Sequence, residues 1–220
     1  VVQINDYIES INQYSAGEFD ACSMTNMDAL TIPAASGVDS TALIVGDFSN
    51  GNDAIILKEG STLADIEGQQ VNLVELSVSH YLLARGLESV GLSERDVNVV
   101  NTSDADMGAA YTTSGVTEVT TWNPLVNEIL KMPGATNVFD STRIPGEIID
   151  TLMVKTETLA KYPELGKALT GAWYEIMANM NGTDKVAMAA KESMAIASGT
   201  DLAGYEDKLA STEMFDTPAY

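Results

Sequence analysis

A single cysteine, Cys22, and a single histidine, His80, are all that the 220-residue chain has of either type. One cysteine makes an internal disulfide impossible, and neither Cys-Cys nor Cys-His zinc spacing exists. With one histidine, any Ser-His or Cys-His nucleophile pair has to use His80. Basic residues are scarce as well: 11 Lys and Arg stand against 32 Asp and Glu, a formal net charge of −21. Phosphate contacts need clustered Lys and Arg, so this balance excludes nucleic acid as the main partner and argues against docking on an anionic membrane. No apolar run approaches the roughly 18 residues that a membrane-spanning helix needs. The common catalytic signatures are missing too. There is no phosphate loop ending in Gly-Lys-Ser/Thr, no Gly-x-Gly-x-x-Gly after a strand, and no Gly-x-Ser-x-Gly elbow.

What is present is globular. Apolar residues make up 45% of the chain and charged residues 20%. That is enough to bury one sizeable core or two small lobes. The acidic excess has a plain reading, solubility and salt tolerance. Its sharper reading is a site for something cationic or rich in N–H donors.

Strand and helix patterns alternate along the whole chain. VVQIN (1–5) reads as a strand, and Asp6 as the N-cap of a helix carrying Ile8, Ile11 and Tyr14, stopped by Gly17. FDACSM (19–24) is a short strand, followed by a Thr25-x-x-Asp28 helix start. TALIVGDF (41–48) and DAIILK (53–58) are strands joined by SNGN. QQVNLVEL (69–76) is a strand, after which Ser77 or Ser79 opens a helix. VNVVN (97–101), VTEVTTW (116–122) and IIDTLMV (148–154) complete the strands. Helices follow from about Asp104 and from Pro124, and the chain is helical over 163–181, 184–198 and 201–210. Such alternation predicts mainly parallel sheets flanked by helices, with ligands at strand ends beside helix N-termini.

Polar residues sit at those strand ends: Thr25 and Asn26, Asp47 with Ser49 and Asn50, Glu75 with Ser77 and Ser79, Trp122 and Asn123, and Asp150 within its strand. Taken singly, each is an ordinary cap or turn residue. Taken together, three carboxylates and a tryptophan converge on one cleft. Buried carboxylates are costly alone, so that cleft calls for a cationic partner, which the Trp face also attracts. His80, in the first turn of its helix, is read as a neutral packing or hydrogen-bonding residue, because an imidazolium there opposes the dipole. Cys22 is read as core packing. So are Met177, Met180, Met188, Met194, Trp173 and Tyr174 on the last helices.

The runs AGEFDACSMTNMDAL (16–30), GDFSNGNDAIILK (46–58) and NLVELSVSHYLLARGLE (72–88) resemble the type II periplasmic substrate-binding proteins of ABC importers, in the nitrate/sulfonate/taurine-type branch. TWNPLVNEI (121–129), FDSTRIPGEIIDTLMV (139–154) and LGKALTGAWYEIM (165–177) continue the likeness. It is nearest to the subfamily associated with urea carboxylase, connected with urea and guanidine. The resemblance implies a two-lobe α/β fold. Lobe one would comprise 1–48 plus 150–220 and lobe two 55–140, with hinge strands near 46–57 and 140–153. It also implies a monomeric, periplasmic or lipid-anchored receptor that hands a small solute to a membrane permease, with no cofactor and no catalysis. Family members start with a further strand and helix and run on past Tyr220, so the chain is expected to be an internal part of a longer protein, without its signal peptide.

By that resemblance the ligand contacts fall on Thr25 and Asn26, on Ser77, Ser79 and His80, on Trp122 and Asn123, and on Asp150. Glu75 directly before the helix would repel an anion and accept N–H donors, which favours guanidinium or urea. Two alternatives remain: a sulfonate- or nitrate-type anion receptor, with the acidic residues paired to Arg85, Arg95 and Arg143, or an enzyme similar to the thiamin-pyrimidine precursor synthases. The second needs a reactive lysine and a histidine at the cleft; only Lys58 and Lys155 lie at expected strand ends, and His80 stands alone.

Overall fold

A computed structural model describes residues 1–59 and 62–214. The chain opens on extended residues that pair with nothing described, so VVQIN is not a strand. Val1 and Val2 stand in solvent. Strand propensity alone does not hold a strand without a ladder partner. Helix α1 (Tyr7–Ala16) begins where Asp6 accepts the Glu9 N–H at 2.8 Å and ends at Gly17, whose φ of 93° only glycine adopts freely. It buries Ile11 and Tyr14 completely.

Strand β1 (Ala21–Thr25) runs into the short helix α2 (Asn26–Ala29), continued by a wide turn to Ala34. Strand β2 (Ser40–Ser49) ends lobe one's first passage, and β3 (Asp53–Leu57) begins lobe two. Strands β4 (Gln70–Leu73), β5 (Asn98–Asn101), β6 (Glu118–Trp122) and β7 (Thr136–Asp140) follow. Between them lie α3 (Val78–Ser89), α4 (Asp104–Thr112) and α5 (Leu125–Ile129). The chain returns through β8 (Ile149–Lys155) and finishes with α6 (Thr156–Lys161), α7 (Pro163–Met180), α8 (Lys185–Ala197), α9 (Leu202–Ala210) and β9 (Thr212–Met214). Residues 215–220 of the segment expected for lobe one, and 60–61 of that expected for lobe two, lie outside the described residues.

Two sheets result. One has the order β1-β8-β2-β9, the other β5-β4-β6-β3-β7. Only β4–β5 and β4–β6 are parallel. The rest is antiparallel, contrary to the sequence expectation, and connectivity explains it. The chain passes from the first sheet to the second after β2 and comes back after β7. The outgoing and returning strands therefore run in opposite directions and pair so, β2 with β8 and β3 with β7. Two bulges in β2, at Ala42/Ile44 and Val45/Asp47, each insert one residue against β8.

The second sheet is covered on both faces, which is why β3 reads Ala-Ile-Ile-Leu without alternation. Ile55, Val71, Leu82, Leu83 and Leu87 pack on the α3 side, and Ile56, Met107, Tyr111, Val119 and Ile129 on the other. Lobe one has a smaller core of Ile11, Tyr14, Met24, Ala29 and Met153. Met177 and Met180 are buried as expected of core residues, but Met188 and Met194 are exposed. Sequence patterning misses β7, α6 and β9. The last has three residues and owes its strand form to pairing with β2 at Asp47–Ser49. No helix among the described residues is long and apolar enough to cross a membrane.

Candidate functional site

A cavity of about 420 Å³ lies where the two sheets meet, between the ends of the crossing strands. From lobe one it receives Tyr7, Thr25, Asp47 and Asp150. From lobe two come Asp53, Val78 at the start of α3, and Trp122 and Asn123 at the end of β6. The final helices fold over it and contribute Tyr205, Lys208, Thr212 and Met214.

Strand pairing brings the carboxyls together. Asp47 and Asp150 are direct partners between β2 and β8, and Asp53 faces Trp122 between β3 and β6. Asp53 is fully enclosed, accepting from Ser49 Oγ at 2.5 Å and from Asn52 Nδ2 at 3.3 Å. Burial pushes its pKa up to about 6, against the lowering effect of Ser49. Asp47 is raised to about 8, first by burial and then by the neighbouring Asp150 carboxyl. Asp150 is also raised by burial. Its residue stays exposed to solvent, and the neighbouring Asp47 and the Lys208 charge act in the opposite sense.

Behind this group lies a fourth carboxyl. Asp28 Oδ2 accepts from Tyr7 Oη at 2.7 Å and Thr25 Oγ1 at 2.8 Å, while Tyr7 Oη accepts the Thr25 N–H at 2.9 Å. Burial raises the Asp28 carboxyl, and the backbone of Val78, the first residue of α3, acts on it in the opposite sense. A helix N-terminus attracts anions. Here the protein's own carboxylate is there already. The Tyr7 ring then meets Trp122 of the opposite lobe edge-on, with centroids 5.7 Å apart. The site is thus a carboxyl-rich chamber with an aromatic wall and one ammonium, Lys208, among its described lining residues.

Of the residues singled out from sequence, the structure gathers Thr25, Asp47, Trp122, Asn123 and Asp150 around the cavity. Asn26 is not among its lining residues. It ties down the returning chain, donating to the Glu147 carbonyl at 3.0 Å and accepting the Ile149 N–H at 3.2 Å. Asn50 is directed to β9, donating to Glu213 at 3.2 Å. Glu75 faces elsewhere. Strand β4 stops at Leu73, and Leu76 takes the left-handed conformation with φ 63°. That turn swings Glu75 outward, into an open groove with Asp6, Glu9 and Asp104. Ser77 caps α3 through the Ser79 N–H at 3.1 Å, and Ser79 is buried beneath it. His80 Nδ1 accepts the Leu76 N–H at 3.0 Å, and its Nε2 lies 3.2 Å from Glu94. Ser77, Ser79 and His80 build the helix start and leave only Val78 of it to the cavity. Cys22 is half-buried, packed against lobe one's core.

Sequence reasoning missed Tyr7, Asp53 and Lys208. Asp53 carried a signal: it is the one charged residue opening an otherwise apolar strand after a tight turn. Tyr7 lies on an amphipathic helix, where an aromatic reads as core. Lys208 arrives by a long-range fold-back that no local pattern announces.

No family model matches the chain. A curated Escherichia coli (strain K12) protein named for binding aliphatic sulfonates is 30% identical over 111 residues, which is 49% of this chain. The match spans only 35% of that protein's length. The alkanesulfonate-binding protein SsuA from Xanthomonas axonopodis pv. citri, bound to MOPS, superposes with a TM-score of 0.80 at 20% identity, covering 99% of this chain and 76% of that one. The periplasmic aliphatic sulphonate binding protein SsuA from Escherichia coli gives 0.80 at 20% identity, covering 99% and 75%. The chain has the two-lobed α/β fold of these periplasmic binding proteins.

Proposed function

We propose that the chain is the solute-binding part of an ABC importer, capturing a small nitrogen-rich solute between its lobes and delivering it to a membrane permease from the periplasmic side. The reading of the solute as guanidinium, or urea in second place, rests on one observation: Asp47, Asp53 and Asp150 share a chamber with Trp122. Guanidinium is planar and permanently charged, and its paired N–H groups fit carboxylates two at a time. Tyr7 and Trp122 add aromatic surface that favours a cation. Capture is by lobe closure, without chemistry.

A sulfonate- or nitrate-type anion is the second reading, favoured by what the similar proteins are named for binding. Lys208 is the group that would serve it. Against it stand the three carboxyls and the Asp28 carboxylate already at the α3 N-terminus. An enzyme of the thiamin-pyrimidine-precursor type would need a lysine and a histidine together. Lys208 lines the cavity, and His80 does not.

Titration calorimetry against guanidinium, urea and taurine separates these readings, with guanidinium kept far below denaturing concentration. Tight guanidinium binding with weak urea binding is expected. Preference for taurine overturns the cationic reading, and no heat from any of the three overturns the solute assignment.

A further inference from the structure

We infer that Asp47 and Asp150 hold one proton between them in the empty cleft, and that a cationic solute enters by expelling that proton to solvent. The inference rests on the cationic reading above. Its ground is placement. The two residues are direct partners in the β2–β8 register, on the strands that carry the chain out of lobe one and back, and both line the same cavity. Direct partners on neighbouring strands place their side chains on one face of the sheet, and like charges directly opposite repel unless one of them is neutralised.

The groups around the pair are mostly acidic or neutral. From β3 it is faced by Asp53, and from α2, more distantly, by Asp28. Tyr7 of α1 and Tyr205 of α9 line the same chamber as neutral phenols. On β9, Met214 pairs with Asp47, and Glu213 is directed to Asn50. Trp173 of α7 packs on Gly46 beside Asp47, and α8 offers Met194 and Ser198. Lys208 of α9 is the one basic residue among the described lining residues. It forms no ion pair within 4.0 Å with either carboxyl. Two carboxyls directly opposite each other in one cavity cannot both ionise cheaply, so they titrate as a pair that keeps one proton. Burial first, and then the Asp150 charge, raise the Asp47 pKa to about 8, and the proton is placed on Asp47.

A bound cation removes the need for the proton. The Asp47 O–H bond breaks, the electron pair stays on Asp47, and the proton leaves to water. The pair changes from −1 to −2 while the solute adds +1, so the chamber's net charge is the same before and after. A neutral solute such as urea lacks the charge to drive this exchange.

The test is calorimetry with guanidinium chloride at about pH 6.5, in two buffers of different protonation enthalpy. About one proton should be released per guanidinium bound. The dissociation constant should tighten by about tenfold per pH unit up to about pH 8 and then level off. Asp47→Asn should abolish both the release and the pH dependence. Binding without proton release, and with a flat pH profile, overturns the exchange and leaves the receptor reading intact. Absence of any guanidinium binding overturns both. Because Asp47→Asn alters a hinge strand and can misfold, carbon-13 NMR of the aspartate carboxyls in the unmodified protein is the second measurement. One aspartate should titrate near pH 8, above Asp53 near 6, and lose that titration when guanidinium is added; if no aspartate titrates above about pH 7, the held proton is refuted.

Discussion

Asn26 holds the returning chain by both ends of its side-chain amide: Nδ2 donates to the Glu147 carbonyl and Oδ1 accepts the Ile149 N–H. It thereby fixes where β8 starts, one residue before Asp150. Glu147 is in turn bound from lobe two, by Tyr81 Oη at 2.6 Å and by the Arg85 guanidinium at 2.9 and 3.1 Å. Asn26→Ala should remove both backbone bonds and lower stability by about 2 kcal/mol. Thermal unfolding measures it, since guanidinium and urea are the proposed solutes. An unchanged melting temperature would show that the two bonds hold nothing.

Trp122→Ala should weaken guanidinium binding by about 1 kcal/mol, roughly fivefold in Kd, as loss of an aromatic face costs a cation. Trp122→Phe should retain part of the affinity. Urea binding, lacking the charge, should change less. Equal losses for both solutes would mean that the ring supplies area alone.

Asp47, Asp53 and Glu118 all have raised pKa values, so each keeps its proton in the folded state at pH values where the unfolded chain has released it. The unfolded state then binds fewer protons, and stability falls as pH rises. For Asp53 the fall should extend to about 6 and for Asp47 to about 8. Glu118 is fully buried in β6, accepts only from Thr120 at 3.0 Å, and is pushed well up by burial. The ligand-free melting temperature should therefore decline from about pH 5 to 8. Asp47→Asn should flatten the upper part of that decline. Glu118→Gln should raise the melting temperature more at pH 8 than at pH 5, without altering the pH profile of guanidinium binding. A gap between Glu118→Gln and the parent that does not grow with pH would count against a protonated Glu118.

Gly134→Ala should destabilise by about 2 kcal/mol or more. Gly134 has φ 82°, and a Cβ there would lie 2.6 Å from the Lys58 carbonyl oxygen. The position is at the end of β3 remote from Asp53, so the folded fraction should bind guanidinium with parental affinity. Full stability in the variant would mean that the turn relaxes freely.

Most of the elements were legible because their signals are local. Asp6 and Gly17 bracket α1, Ser77 starts α3, and the uninterrupted Ala-Ile-Ile-Leu announces a strand buried on both faces. Strand direction was not legible, since it depends on where the chain crosses back. The cavity was legible where a residue ends a strand, as Trp122 does. It was not where a left-handed residue re-aims the chain, as Leu76 does for Glu75. Lys208 lies beyond local reading for the same reason as β9: both are brought to the hinge by the packing of α7, α8 and α9.

The two bulges in β2 take up a difference in length. Between Ser40 and Asp47 that strand advances by seven residues while β8 runs back by five, from Lys155 to Asp150. Each bulge sets two residues against one, so the ladder resumes with facing partners beyond it, and Asp47 arrives opposite Asp150. A regular ladder from the same start would bring Val45 to Asp150 instead. The irregularity of the strand is what delivers a second carboxyl to the chamber.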